Sequence, residues 1–181
     1  MPIITPSSGG SGVGALIFNS VLGADTASID TGANGIGQSF NVLEVFILAR
    51  TDEAVANSHV VITLNNDASA IYDAVFVEGF NGVAQSANVL AGAGWVLLAA
   101  GASATAGVYS PIHLTFPFYA QTTAQKSGNA LTSTVGTAAA TNDVRTTGLN
   151  YRSTTAISRL KVANSGGTVL KAGSGLLIYG R

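Results

Sequence analysis

The 181-residue sequence has no cysteine and few charged side chains, with eight Lys and Arg and nine Asp and Glu. The absence of cysteine excludes disulfides and thiolate metal sites. Charged residues make up 9% of the chain, whereas about 25% is typical of a globular protein. The 47 residues from Gly79 to Gln125 contain no Asp, Glu, Lys or Arg at all. A surface with so few charges is poorly suited to staying separate in water, so we expect neighbouring molecules to cover much of it.

Signals for export and for a membrane helix are also missing. The first residues, 1–6, lack the basic start and the apolar core of a secretory signal peptide. The uncharged segment 89–109 is long enough to span a bilayer, but it contains Gly92, Gly94, Gly101 and Gly107. We therefore expect no export by that route and no membrane partner.

Opposite charges are concentrated in opposite halves of the chain. Residues 1–80 hold eight of the nine acids and one base, Arg50, whereas residues 121–181 hold seven bases and one acid, Asp143. The favoured interpretation is that acidic and basic strands lie side by side within one chain and form cross-strand pairs. The alternative is head-to-tail complementarity between copies, which would set the register of an oligomer.

The small residues of segment 7–14, Ser-Ser-Gly-Gly-Ser-Gly-Val-Gly, predict a flexible N-terminal arm over residues 1–14. A single domain is expected over residues 15–181. Within it, short runs rich in β-branched and aromatic residues alternate with turn signals. The runs are Ala15–Leu22, Phe40–Ala49, His59–Leu64, Ile71–Glu78, Trp95–Ala100, Tyr109–Tyr119, Leu149–Arg152, Ala156–Ala163 and Gly175–Tyr179.

Several of these runs alternate residue by residue, as Val60, Ile62 and Leu64 do against their neighbours. The dipeptides Asn34-Gly35 and Asn81-Gly82 are typical of turns with positive φ. We count eight to ten strands and no convincing helix. The sequence therefore predicts an all-β protein, a β-sandwich that is most consistent with a jelly roll.

No arrangement of residues indicates catalysis or a bound metal. His59 and His113, the two histidines, both lie in alternating strand runs, and no Gly-x-Ser-x-Gly elbow is present. The adjacent carboxylates Asp52 and Glu53 are typical of a solvated loop, because neighbouring side chains diverge. The oxygens of Asn65-Asn66-Asp67 suit calcium, but the segment lacks the glycine and terminal glutamate of a calcium loop and is typical of a hairpin turn. We predict no enzyme, no catalytic residue, no metal and no cofactor.

The seven basic residues of the C-terminal third are scattered, without the aromatic interleaving of a nucleic-acid-binding module. We therefore expect no nucleic acid partner. Trp95 and the five tyrosines offer rings that can stack on sugars. An aromatic residue in a sandwich strand belongs to the core or to an interface more often than to a glycan platform.

Five segments of the chain resemble a group of tailed-bacteriophage virion proteins. The C-terminal segments, residues 153–162 (STTAISRLKV), 170–174 (LKAGS) and 177–180 (LIYG), are similar to the closing hairpin of that group. Residues 24–35 (ADTASIDTGANG), which lead into 43–50 (LEVFILAR), also resemble that group, and the resemblance spans most of residues 16–180. The resemblance implies a small β-sandwich or jelly-roll part of a virion, either a capsid decoration protein or a tail or fibre module.

Composition and resemblance together predict a non-enzymatic capsid decoration (cement) protein located in the virion and assembled in the host cytoplasm. The expected partners are the major capsid protein and further copies of the chain, as a homotrimer. The candidate partner contacts are Pro2, Ile3, Ile4 and Trp95. The alternative is a tail-associated receptor-binding module for a host-surface glycan, which would show an exposed cleft lined by Trp95 or tyrosines with Asp or Asn neighbours.

Overall fold

A computed structural model describes residues 14–135 and 142–181, which form twelve strands and no helix. The predicted all-β sandwich is confirmed. Nowhere in these residues is there an apolar helix of membrane-spanning length. The strands are β1 Ala15–Val21, β2 Ser28–Asp30, β3 Val42–Ala49, β4 Asn57–Leu64, β5 Tyr72–Phe80, β6 Val83–Gly92, β7 Trp95–Ala100, β8 Ser110–Pro117, β9 Lys126–Thr134, β10 Asp143–Tyr151, β11 Leu160–Asn164 and β12 Gly175–Gly180.

The strands form two antiparallel sheets. The larger has eight strands in the order β1-β12-β3-β8-β9-β10-β5-β6, and the smaller has four in the order β2-β11-β4-β7. Leaving out β1, β12 and the β9–β10 hairpin gives two four-stranded sets, β2-β11-β4-β7 and β3-β8-β5-β6. This is the strand order of a jelly roll. The β9–β10 hairpin is thus inserted between β8 and β5, which widens one sheet and leaves part of it without a covering sheet.

The core lies between the smaller sheet and the β12–β3–β8–β9 part of the larger one. Each strand there sends alternate side chains inward, as the period of two requires. Leu43, Val45 and Ile47 of β3 are buried against Val60 and Ile62 of β4 within one hydrophobic cluster. Because this cluster is continuous, residues 15–135 and 142–181 share one core.

The nine predicted runs each overlap one strand, although Leu149–Arg152 covers only the last three residues of β10. No strand was predicted at β2, β6 or β9. β6 was missed because it contains three alanines and one glycine and has no buried face. β9 was missed because its residues are mostly small and polar. Their pairing partners supply the order that composition does not indicate. The predicted turn at Asn81-Gly82 is confirmed, since both residues have positive φ, 51° and 80°, and join β5 to β6. Asn34 also has positive φ, but Gly35 does not.

Acidic residues of the first half pair with basic residues of the second half inside one chain. This confirms the favoured interpretation of the charge asymmetry. The pairs are Asp25 with Lys171, Asp30 with Arg159, Glu44 with Arg181, Asp73 with Arg152 and Glu78 with Arg145. Because these charges are paired within the chain, they contribute less to electrostatic repulsion between molecules.

Candidate functional site

The outer face of the eight-stranded sheet, the face turned away from the smaller sheet, is a continuous surface built from eight strands. Strand pairing aligns its residues in rows that run from β1 to β6. One row is Asn19, Leu177, Phe46, His113, Leu131, Thr146, Val77 and Ser86, and the next is Leu16, Tyr179, Glu44, Thr115, Asn129, Gly148, Val75 and Asn88. A third row continues the register with Val21, Gly175, Leu48, Pro111, Ser133, Val144, Gly79 and Ala84.

Glu44 is the single Asp, Glu, Lys or Arg in these three rows, and its carboxylate is paired with Arg181. Many of the other positions carry exposed apolar side chains. They include Leu16, Val21, Phe46, Leu48, Val75, Val77, Leu131 and Val144. Contiguous exposed apolar surface of this kind is rare on a monomeric protein and is typical of an interaction surface.

The two faces of β5 and β10 have inverted polarity. Val77 of β5 is 61% exposed and Val144 of β10 is 54% exposed on the outer face. The inward side chains Glu78 and Arg145, each 8% exposed, form a buried ion pair. A shift of one residue in register would exchange the two sets. The observed register is therefore the one that keeps ions inside and valines outside.

The ion pair is surrounded by partners that fix this register. Arg145 Nε donates to Glu78 Oε2 at 2.6 Å, and Gln85 Nε2 donates to Glu78 Oε1 at 2.7 Å. The guanidinium also lies 4.2 Å from the centre of the Phe76 ring. Asp143 lies 4.0 Å from the same guanidinium. Burial raises the pKa of the Asp143 carboxyl, and the nearby Glu78 charge adds to this rise.

A groove of about 600 Å³ opens on the outer face, at the end of the sheet where β1 ends and β12 begins. Phe46, Leu48, Pro111, Leu131 and Leu177 line it with apolar side chains. This volume falls in the range of about 300–1,000 Å³ that is usual for ligand pockets. The outer face therefore contains a preformed apolar groove of the size of a ligand pocket.

The imidazole of His113 also lines this groove. It stacks on Phe46 with ring centres 4.4 Å apart and planes 4° from parallel. Its Nε2 is buried and has no hydrogen-bond partner among the described residues, since Glu44 Oε1 lies 4.0 Å away. Because this nitrogen is buried within the chain, it is not available to an occupant of the groove.

The structure places Trp95 in the core. It is 1% exposed, stacks with Phe116 at 5.5 Å and donates from Nε1 to the Asp73 carbonyl at 3.0 Å. Burial leaves no face of the indole for a partner, so the ring supports the fold instead. Pro2, Ile3 and Ile4 lie outside the described residues.

Several charged residues hold loops in place. Arg50 donates to four backbone carbonyl oxygens between residues 102 and 108, at 2.7–3.2 Å. Arg159 donates twice to Asp30, at 2.9 and 2.7 Å, and this lowers the pKa of that carboxyl. The Asp52 carboxylate accepts hydrogen bonds from the Thr168 hydroxyl and from backbone N–H groups, which lower its pKa to about 2. These residues therefore have structural partners.

The other residues considered for chemistry also have structural partners. Asn65 and Asn66 have positive φ, as a turn requires, but the turn leads from β4 in the smaller sheet to β5 in the larger one, so the prediction of a hairpin is wrong. The Asp67 carboxylate accepts a hydrogen bond from the Tyr151 hydroxyl at 3.1 Å. Burial lowers the pKa of His59, and the positive charge of Arg145 lowers it further. Among the residues that the structure describes, no three His, Asp or Glu side chains come together as a metal site.

Sequence reasoning predicted a covered surface, which stays a prediction, and did not indicate the outer face of the larger sheet. The signal was present in the alternation of β10, where Val144, Thr146 and Gly148 oppose Asp143, Arg145 and Thr147. Read alone, that pattern places the charged residues outside and the valine inside. Comparison with protein-family models, with curated proteins and with solved structures gave no match to this chain.

Proposed function

We propose that the protein is a non-enzymatic structural component of a bacteriophage virion, a capsid decoration protein that binds the outside of the head and stabilises the shell. The observation that carries the proposal is the inverted polarity of β5 and β10. Valines that stay 54–61% exposed in the isolated chain gain by meeting an apolar neighbour. The virion assignment itself comes from the resemblance of residues 24–50 and 153–180.

Simple energetics favour contact through this face. Each Å² of apolar surface removed from water contributes about 25 cal/mol, so a few hundred Å² per copy contribute several kcal/mol. An exposed salt bridge contributes about 0–1 kcal/mol. The outer face also requires little desolvation of charge, because Glu44 is the single charged residue in its three rows and is already paired.

The glycan-binding alternative receives less support from the aromatic residues. Tyr72, Tyr119 and Tyr151 have at most 1% of their surface exposed, as does Trp95. These four rings pack in the core and do not line an exposed cleft. The alternative therefore remains the outcome that the following experiment is designed to detect.

The test uses phage particles assembled without the protein, to which purified protein is added back. We expect the particles to lose genome at a lower temperature than complete particles, and added protein to restore the temperature without any small-molecule cofactor. Particles that are equally robust without the protein but fail to adsorb to cells would support the receptor-binding alternative and overturn this proposal.

Two lysine variants test which face of the protein makes the contact that restores particle stability. Val77 is 61% exposed on the outer face of β5, and Val83 is 63% exposed on the opposite face of the adjoining strand β6. Val77→Lys should fail to restore the particles, because it places a charge in the apolar contact. Val83→Lys should restore them as well as the unchanged protein does. Equal restoration by both variants would exclude the outer face as the contact.

A further inference from the structure

The apolar groove lies at one end of the outer face, and the polypeptide enters the sheet at the other end. Ala15, the first residue of β1, pairs with Gly180, whereas the last, Val21, pairs with Gly175. Val21 and Gly175 line the groove, together with Asn19 and Leu177. The residues that precede Gly14 therefore leave β1 at the end away from the groove of their own copy.

The segment that precedes β1 matches the groove in chemistry. Residues 2–4 are Pro, Ile and Ile, and residues 1–13 contain no charged side chain. The groove is lined by Phe46, Leu48 and Leu131, with His113 as its titratable side chain. A segment without charged side chains can enter such a groove without desolvating a charged side chain.

We propose that the groove binds residues Pro2–Ile4 of a neighbouring copy of this chain. The proposal rests on the proposed function only in assigning the outer face to contacts with neighbours. The nine residues 5–13 span at most about 30 Å when extended, which is enough to cross from the edge of one sheet to the next molecule. To reach its own groove, the segment would have to reverse direction and cross Leu16, Tyr179 and the charged Glu44. Each copy thus donates one segment and receives one, a head-to-tail contact that builds a ring when it closes.

The absence of cysteine allows a direct test by disulfide cross-linking. Two single-cysteine variants, Ile3→Cys and Leu131→Cys, are mixed in solution without particles and oxidised under mild conditions. Leu131 lies in the groove and is 53% exposed, so the substitution disturbs no core packing. We expect a cross-linked dimer that joins position 3 of one chain to position 131 of the other, identified by mass spectrometry of its peptides.

A matched control distinguishes specific binding in the groove from random collision. Val75 is 58% exposed on the same outer face but lies outside the groove. The Ile3→Cys and Leu131→Cys mixture should cross-link at least about tenfold more than an Ile3→Cys and Val75→Cys mixture, because docking raises the effective concentration. Adding Ile4→Asp to the Ile3→Cys chain should reduce the yield to that of the control. Equal yields at positions 131 and 75 would overturn the proposal.

A chain that carries both Ile3→Cys and Leu131→Cys tests whether the segment binds the groove of its own chain or that of a neighbouring copy. Disulfide-linked oligomers support exchange between neighbours. A link formed within single chains only, together with no link between the separate variants, would show that the segment covers its own groove and would overturn the proposal. Circular dichroism of each variant checks that the sandwich is retained. Because no particle is used, failure here leaves the capsid experiment unaffected.

Discussion

The two faces of the β5–β10 pair differ in what they bury. The inner face holds Glu78 and Arg145 away from solvent, whereas the outer face leaves Val77 and Val144 more than half exposed. In β3 of the same sheet, by contrast, Leu43, Val45 and Ile47 are buried in an apolar core. The difference teaches that the burial pattern of the β5–β10 pair, unlike that of β3, is set by a buried ion pair and not by apolar side chains alone. The exposed valines of the outer face fit the contact with a neighbour that we propose.

The largest expected effect comes from breaking the inner face. Glu78→Ala leaves the Arg145 guanidinium buried without its carboxylate partner, and it should lower the free energy of unfolding by about 3–5 kcal/mol. Urea denaturation followed by circular dichroism measures the change. The double variant Glu78→Leu with Arg145→Met removes both charges and should recover most of the loss. A single variant as stable as the unchanged protein would mean that the ion pair does not hold the register.

A smaller effect is expected from His59, whose pKa is lowered by burial and by the Arg145 charge. Since the folded-state pKa lies below the ordinary value of 6.5, the stabilisation is present above that pH and is lost as the pH falls through the folded-state pKa. His59→Gln cannot be protonated in this range. The unfolding free energy of the variant should therefore fall less between about pH 7 and pH 5 than that of the unchanged protein. Parallel urea titrations at the two pH values check this, and identical slopes would contradict it.

The smallest effect on the isolated chain is expected from the outer face. Val77→Ser removes an exposed valine and should change the free energy of unfolding by no more than about 0.5 kcal/mol. The matched change on the other face of the hairpin, Val83→Ser, should behave alike, since the two side chains are 61% and 63% exposed. The same urea titration measures both. A large loss for Val77→Ser alone would show that the outer face already stabilises the isolated fold.

Much of the fold was predictable because burial on one face leaves a period of two in the sequence. The run Trp95–Ala100 coincides with β7, and the Asn81-Gly82 turn joins β5 to β6 as its positive φ preference indicates. β6 and β9 escaped prediction for opposite reasons. β6 is exposed along nearly its whole length, whereas β9 buries polar residues such as Lys126 and Thr132.

The candidate site was predictable in kind but not in place. Sparse charge indicated a covered surface, yet the residues singled out were Trp95, which is in the core, and Pro2, Ile3 and Ile4, which lie outside the described residues. Each row of the outer face contains one residue from each of eight strands. Sequence order does not bring Leu177, Phe46 and Leu131 together, because strand pairing between distant segments decides which side chains share a row.

The sequence by itself determined the all-β class, the positions of most strands and the opposite charges that close the chain on itself, because these depend on local pattern and on composition. Only the tertiary structure decided which face of each strand is buried. The alternation in β10 read alone places Val144 inside and Arg145 outside, and the pairing of Arg145 with Glu78 on the adjacent strand reverses this. Burying that pair in a low dielectric requires both charges to be present together, and this long-range condition places the valines on the outer face.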